Sequence, residues 1–221
     1  MRVFLTTIPK SGTKLMELVL YNLGLRKMTA ETVSDGGFVS GHAPYDPALF
    51  ERHPDARFIS LVRDPRDILI SLEHFTGTGR AGRIAGRIPA LARDRRELQA
   101  LLAFGVLNRR LAQARDWHSD PRVLTVRFED IVGDDLGGSA ERRQALAERL
   151  GAWLGLASAE TLKAMGAHRN TSTFRSGRIG AWRTELDPAV ANEIEVLHGE
   201  DMIRLGYGLA VAGADGGSSG R

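Results

Sequence analysis

An α/β fold is predicted, with a parallel β-sheet covered by helices on both faces in three layers. Two observations carry it: strand-like apolar runs alternate with helical patterns along the chain, and two of those runs pass through short polar loops straight into helices. In sheets of this kind ligands collect at the carboxyl ends of the strands, so the loops after the strands are where chemistry is expected.

The first strand is the β-branched, apolar run Arg2 to Ile8, and Leu15 to Leu20 begin the helix that follows. Arg57 to Val62 reads as a second buried strand, after which Asp64-Pro65 caps and starts a helix running to about Phe75. The segment Gly77 to Ile88 carries Gly77, Gly79, Gly82 and Gly86 among Arg80, Arg83 and Arg87, lacks apolar periodicity, and reads as a mobile loop or lid beside an acceptor entrance. A long helix is expected over residues 94–117, with Leu98, Leu101, Leu102, Val106 and Leu111 on its apolar face. Arg122 to Arg127 forms a further strand, and helices fit residues 139–154 and 158–165. A glycine-containing loop over residues 168–184 precedes the last helix, which opens at Asp187-Pro188 with Val190, Ile194, Leu197 and Ile203 in its register. There are no internal repeats, so a single domain is expected over residues 1–208, followed by a Gly/Ser-rich disordered tail over residues 209–221.

Lys10-Ser11-Gly12-Thr13-Lys14 sit between the first strand and its helix. A glycine there lets the backbone approach an anion, the first helical amides point outward, and the helix dipole adds positive potential; Lys10 contributes a full charge. An ordinary strand-to-helix turn with a surface lysine would show the same short pattern. The loop departs from the ATP-binding pattern of Gly, four residues, Gly, Lys and Ser/Thr, since Thr7 holds the place of the first glycine and the residue after Lys14 is Leu15 instead of a magnesium-binding hydroxyl.

Arg63 ends the second strand, and Ser71 lies two turns into the next helix. If the two strands are neighbours, both residues can share the anion at Lys10; the alternative is that Arg63 pairs with Asp64 or Asp67. Arg175, Arg178 and Arg183 surround Gly177 and Gly180 in a stretch suited to folding over a phosphate, because guanidinium makes forked contacts to its oxygens.

Composition narrows the classes. The 221 residues are 43% hydrophobic and 26% charged, which suits a globular protein with a real core. There is no cysteine, which excludes disulfides, thiolate metal sites and a cysteine nucleophile. Thirty basic against 27 acidic residues leave a net charge of only +3, so no nucleic-acid partner is expected. Lys10 and Lys14 interrupt the N-terminal apolar run and no run reaches membrane-spanning length, so a cytoplasmic protein without membrane insertion is expected.

Together these segments resemble the cytosolic-type sulfotransferases, which use 3′-phosphoadenosine-5′-phosphosulfate (PAPS) and release 3′-phosphoadenosine-5′-phosphate (PAP). The resemblance spans about residues 2–206 and implies a P-loop NTPase-like sulfotransferase fold. Pro9 to Thr13 match the family's Pro-Lys-Ser-Gly-Thr loop, which binds the 5′-phosphosulfate. Arg63 and Ser71 match its 3′-phosphate arginine and serine, and Arg175-Ser176-Gly177 with Gly180 and Trp182 match its late Arg-Lys-Gly-x-x-Gly-Asp-Trp motif. Phe128-Glu129-Asp130 match its aromatic-Glu-Asp triplet.

On this resemblance the donor-binding residues are Lys10, Ser11, Gly12, Thr13, Lys14, Arg63, Ser71, Arg175, Ser176 and Gly177, and the catalytic residues are His42 and Lys10. His42, in Val39 to Pro44, stands where the family carries Lys-Thr-His-Leu-Pro. Its ordinary pKa near 6.5 suits proton abstraction, although an isolated histidine beside a proline turn is commonly structural. The implied activity is sulfuryl transfer to a small-molecule hydroxyl acceptor, less readily an amine, without a required metal and with room for a homodimer. The alternatives are a small-molecule kinase of the P-loop class using Mg-ATP and a non-catalytic nucleotide-binding module.

Departures from the family pattern are Lys14 for threonine, Leu15 for the tryptophan that stacks on adenine, Gly41 and Ser176 for lysines, and Ala181 for aspartate.

Overall fold

The computed structural model describes residues 1–78, 87–166 and 177–210. Arg175, Ser176, most of the Gly77 to Ile88 segment and nearly all of the expected tail lie outside them. The elements, in order, are β1 (Arg2–Thr7), α1 (Thr13–Asn22), β2 (Arg26–Lys27), β3 (Gly37–Gly41), α2 (Ala48–Arg52), β4 (Ala56–Val62), α3 (Pro65–Thr76), α4 (Arg95–Leu102), α5 (Asn108–Ser119), β5 (Val123–Arg127), α6 (Phe128–Ile131), α7 (Ala140–Leu154), α8 (Ser158–Met165), α9 (Trp182–Glu185) and α10 (Pro188–Arg204). The chain divides into two compact units, Met1–Arg63 with Arg110–Gly180, and Asp64–Arg109 with Ala181–Arg221.

The first unit holds the sheet. Its five strands run parallel in the order β2-β3-β1-β4-β5, as the alternation of strands and helices predicts. Side chains alternate across it with a period of two. Val3, Leu5, Ile59, Leu61 and Val126 pack with Leu15, Met16 and Val19 of α1 and Leu146 and Leu150 of α7. Phe4 and Phe58 face the other way, onto Phe50 of α2 and Trp117 of α5. Both faces are therefore covered, and the sheet is the middle of three layers.

From β1 the chain reaches β3 on one side and then crosses to β4 on the other, with register Thr6↔Gly41 and Thr7↔Leu61. The carboxyl end of β1 is thus the switch point where a parallel sheet opens a crevice.

The second unit is organised around the start of α3. Arg66 is 2% exposed, forks onto both carboxylate oxygens of Asp64, donates to Glu195 of α10, and lies 3.8 Å over the Trp182 ring. A buried guanidinium is tolerable because two carboxylates and the Gly208 carbonyl satisfy it. Asp67 accepts from the Trp182 backbone N–H.

Two sequence expectations change. The helix expected over 94–117 is interrupted by a five-residue π-helical turn, Ala103–Leu107, between α4 and α5. In α10 the buried register holds Val190 and Ile194 but continues through Glu195, His198 and Met202, while Leu197 and Ile203 are exposed.

Candidate functional site

Three neighbouring strand ends bring the sequence candidates together. Lys10 to Gly12 follow β1, His42 follows β3 and Arg63 follows β4, so parallel register alone places them at one edge of the sheet.

The loop after β1 is closed by its own backbone. The Ser11 amide and hydroxyl both reach the Ile8 carbonyl, at 3.1 and 2.7 Å, and the hydroxyl also reaches the Leu61 carbonyl of β4 at 3.3 Å. Ser11 is fully buried and ties the loop down. Lys10 holds φ at 72°, a left-handed conformation rare outside glycine. Gly12 caps α1 at φ 102° with no side-chain cap, leaving the first-turn amides and the dipole of a ten-residue helix facing the loop.

Phe128 sets the far wall. A Cβ on Gly12 would stand 2.5 Å from Phe128 Cδ2, and the Arg63 guanidinium lies 4.4 Å from the centroid of the same ring. Arg63 is 8% exposed. Its two terminal nitrogens donate to the carbonyls of Lys10, at 3.4 Å, and Arg178, at 3.1 Å, while its buried Nε has no partner among the described residues. Among the described residues this guanidinium meets two carbonyls and the Phe128 ring but no carboxylate, which leaves its charge open to an anion.

Arg178 belongs to the late arginine-glycine segment, whose backbone is also pinned by Ile179 N–H to the Leu136 carbonyl at 3.0 Å. Gly177 precedes it with φ 51°. Ser71 is half-buried on α3 in the second unit.

His42 is positioned by Thr7, the residue at the place of the first glycine of ATP loops. Its Nδ1 lies 2.8 Å from the Thr7 carbonyl and 2.8 Å from Thr7 Oγ1. A carbonyl only accepts, so Nδ1 carries the proton and the lone pair is left on Nε2. Thr7 Oγ1 in turn meets Thr13 Oγ1 at 2.8 Å, joining the histidine to the first residue of α1. Desolvation holds the His42 pKa below 6.5, Arg110 acts the same way, and the Thr7 carbonyl and Glu17 oppose it.

Lys14 has a partner of its own on α1. With Lys27 and Ser40 it surrounds the buried Glu17 carboxylate, at 2.8 Å from Lys14 Nζ and 2.6 Å from Lys27 Nζ. These contacts outweigh the burial that would raise the Glu17 pKa and bring it below the ordinary 4.5. Leu15, which follows Lys14 without offering a hydroxyl, is a core residue 3% exposed. Among the described residues no three His, Cys, Asp or Glu side chains gather as a metal site, and no helix is long and apolar enough to cross a membrane.

Residues 39–157 match the profile of the sulfotransferase family. Among solved structures, a mouse sulfotransferase complexed with PAP is 16% identical, with a TM-score of 0.63 over 91% of this chain and 84% of that one. Retinol dehydratase in complex with retinol and PAP is 14% identical, with a TM-score of 0.59 over 91% and 81%. A sulfotransferase from Alicyclobacillus acidocaldarius is 15% identical, with a TM-score of 0.50 over 92% and 93%. No curated protein matches the sequence.

Proposed function

The chain belongs to the sulfotransferase family, and on that premise we propose that it transfers a sulfuryl group from PAPS to a hydroxyl acceptor, less readily an amine, with His42 as general base. The observation that carries the donor assignment is Arg63: a guanidinium without a carboxylate partner among the described residues, fixed beside the phosphate loop and ready for a phosphate. PAP bound to structural neighbours of the same fold supports the reading. Lys10 and the first amides of α1 would hold the 5′-phosphosulfate, and Arg63 the 3′-phosphate. Ser71, Arg175, Ser176 and Gly177 join that set through the motif match. Ser11 serves by shaping the loop and Lys14 by pairing with Glu17. The reading takes residues 1–208 as one sulfotransferase domain acting in the cytoplasm.

Transfer forms an acceptor O–S bond and breaks the bond from sulfur to the phosphate oxygen of the donor. His42 Nε2 takes the hydroxyl proton while Nδ1–H stays on the Thr7 carbonyl, which holds the ring in the basic tautomer. The Lys10 ammonium and the helix amides stabilise the charge gained by the departing phosphate oxygen.

The kinase alternative is disfavoured by the loop itself: with Gly12 as the second glycine, Thr13 stands where the ATP pattern needs its lysine and Lys14 where it needs the metal-binding hydroxyl. A melting series tests the donor: PAP should raise Tm more than ADP or Mg-ATP at equal concentration, and incubation with PAPS and alcohol pools should yield sulfated products by mass spectrometry. Greater stabilisation by Mg-ATP, with phosphorylated products, would select the kinase.

A further inference from the structure

The acceptor side of the site has a feature that donor binding does not use. Helix α5 is amphipathic: Arg109, Ala112, Arg115 and Asp116 are exposed, whereas Arg110, Gln113 and Ala114 are half-buried and Trp117 is buried. Positions 110, 113, 114 and 117 share one helical face by the i, i+3, i+4, i+7 rule. That face lies against the segment carrying His42. Trp117 Nε1 donates to the Ala43 carbonyl at 3.0 Å, and the Trp117 and Tyr45 rings meet edge to face at 5.2 Å. Arg110 therefore stands two turns along the face that touches Ala43 and Tyr45, close enough for its charge to act on the His42 imidazole.

A half-buried arginine on an inward face is ordinarily matched by a carboxylate. Arg110 instead donates to the neutral Gln113 Oε1 at 3.3 Å and forms no ion pair among the described residues. Three carboxylates of the same unit are engaged with other partners: Asp120 with Arg122 and Tyr45, Glu17 with Lys14, Lys27 and Ser40, and Asp46 with Arg52.

We propose that Arg110, with Gln113 beside it, receives an oxyanion on the acceptor, so that the preferred substrates are hydroxylated carboxylic acids or phosphate esters whose hydroxyl then lies at His42. The inference rests on the sulfotransferase reading and adds the substrate class to it. Arginine suits this role because its fork binds carboxylate or phosphate oxygens in pairs and keeps its charge at any working pH. The oxyanion also neutralises the cation that disfavours protonation of His42, so a bound acceptor of this class makes the imidazole a stronger base.

The test uses the PAP-loaded protein and matched probes that differ in charge: 4-hydroxyphenylacetate against 4-hydroxyphenylacetamide, and glycerol 3-phosphate against glycerol. Titration calorimetry on wild type should show the anionic member of at least one pair bound about 10- to 100-fold more tightly, the range expected for a charge-assisted contact. Arg110→Gln should remove that preference without changing PAP affinity, and Arg110→Lys should restore part of it. With PAPS as donor, the same variant should raise KM for the anionic acceptor while leaving kcat within a few-fold. Preference in the carboxylate pair alone or the phosphate pair alone identifies which oxyanion is read. Equal binding within both pairs, or a preference that survives Arg110→Gln, overturns the proposal, as does a loss of kcat shared by charged and neutral acceptors, which would place Arg110 at the sulfuryl group. Failure of PAP to bind wild type would instead strike the sulfotransferase reading.

Discussion

The Phe128 ring occupies the space that a side chain at Gly12 would need, with 2.5 Å between Phe128 Cδ2 and the position of a Cβ. This contact joins the end of β5 to the loop after β1, and Arg63 packs on the same ring, so one aromatic side chain touches both the loop and the cation beside it.

Gly12→Ala therefore meets two penalties: a left-handed φ, costing about 1–3 kcal/mol, and overpacking against Phe128, costing about 1–3 kcal/mol. Urea unfolding should show both, and Phe128→Ala in the same chain should relieve the second but not the first. Fully additive losses would mean that the ring does not set the limit at Gly12.

His42→Ala should lower turnover by roughly 10²-fold or more and leave PAP affinity unchanged. Because the folded pKa of His42 lies below 6.5, the neutral base predominates at pH 7, and kcat/KM should fall as pH drops through a midpoint under 6.5. The same sign governs stability: below pH 6.5 the unfolded chain takes up this proton first, and the contribution is lost as pH falls through the folded pKa. An acidic limb that persists in His42→Ala would assign the base to another residue.

Arg63→Gln should weaken PAP binding by about 1.5–3 kcal/mol, the scale of a charge-assisted contact, and leave a nucleotide lacking the 3′-phosphate unaffected. Calorimetric titration with PAP and adenosine 5′-phosphate separates the two. Equal losses for both ligands would make Arg63 a support for the Lys10 and Arg178 backbones instead.

The strand-loop-helix units, the parallel sheet and the convergence of Lys10 with Arg63 were legible because they follow from local pattern plus a topology with few solutions. His42 was legible from its motif, but its tautomer was not, since the Thr7 carbonyl that fixes it lies 35 positions away in sequence. The last helix shows the limit most clearly. Periodicity favoured Leu197 and Ile203 as buried, yet Glu195 goes inside because Arg66, 129 positions earlier, awaits it there. Long-range charge pairing leaves no periodic trace. The Lys14–Glu17 pair, only three residues apart on α1, was by contrast open to a local reading.

Glu17→Ala should destabilise the fold by about 1–3 kcal/mol, at the low end for a buried ionic partner because Lys14 and Lys27 still reach water. Its lowered carboxyl pKa gives stability that is present above pH 4.5 and lost as pH falls through the folded pKa, and the variant should lose that part of the acid dependence. Equal acid sensitivity in thermal melts of the two proteins would remove Glu17 from this role.

The double tether of Ser11 has a kinetic consequence. A loop whose amide and hydroxyl are already bonded to Ile8, and whose hydroxyl also reaches Leu61 across to the neighbouring strand, has little disorder left to lose when an anion arrives. Encounter at this loop is then governed by diffusion and charge steering, so its rate of filling should rise linearly with nucleotide concentration and fall with added salt, with no slower ordering step behind it.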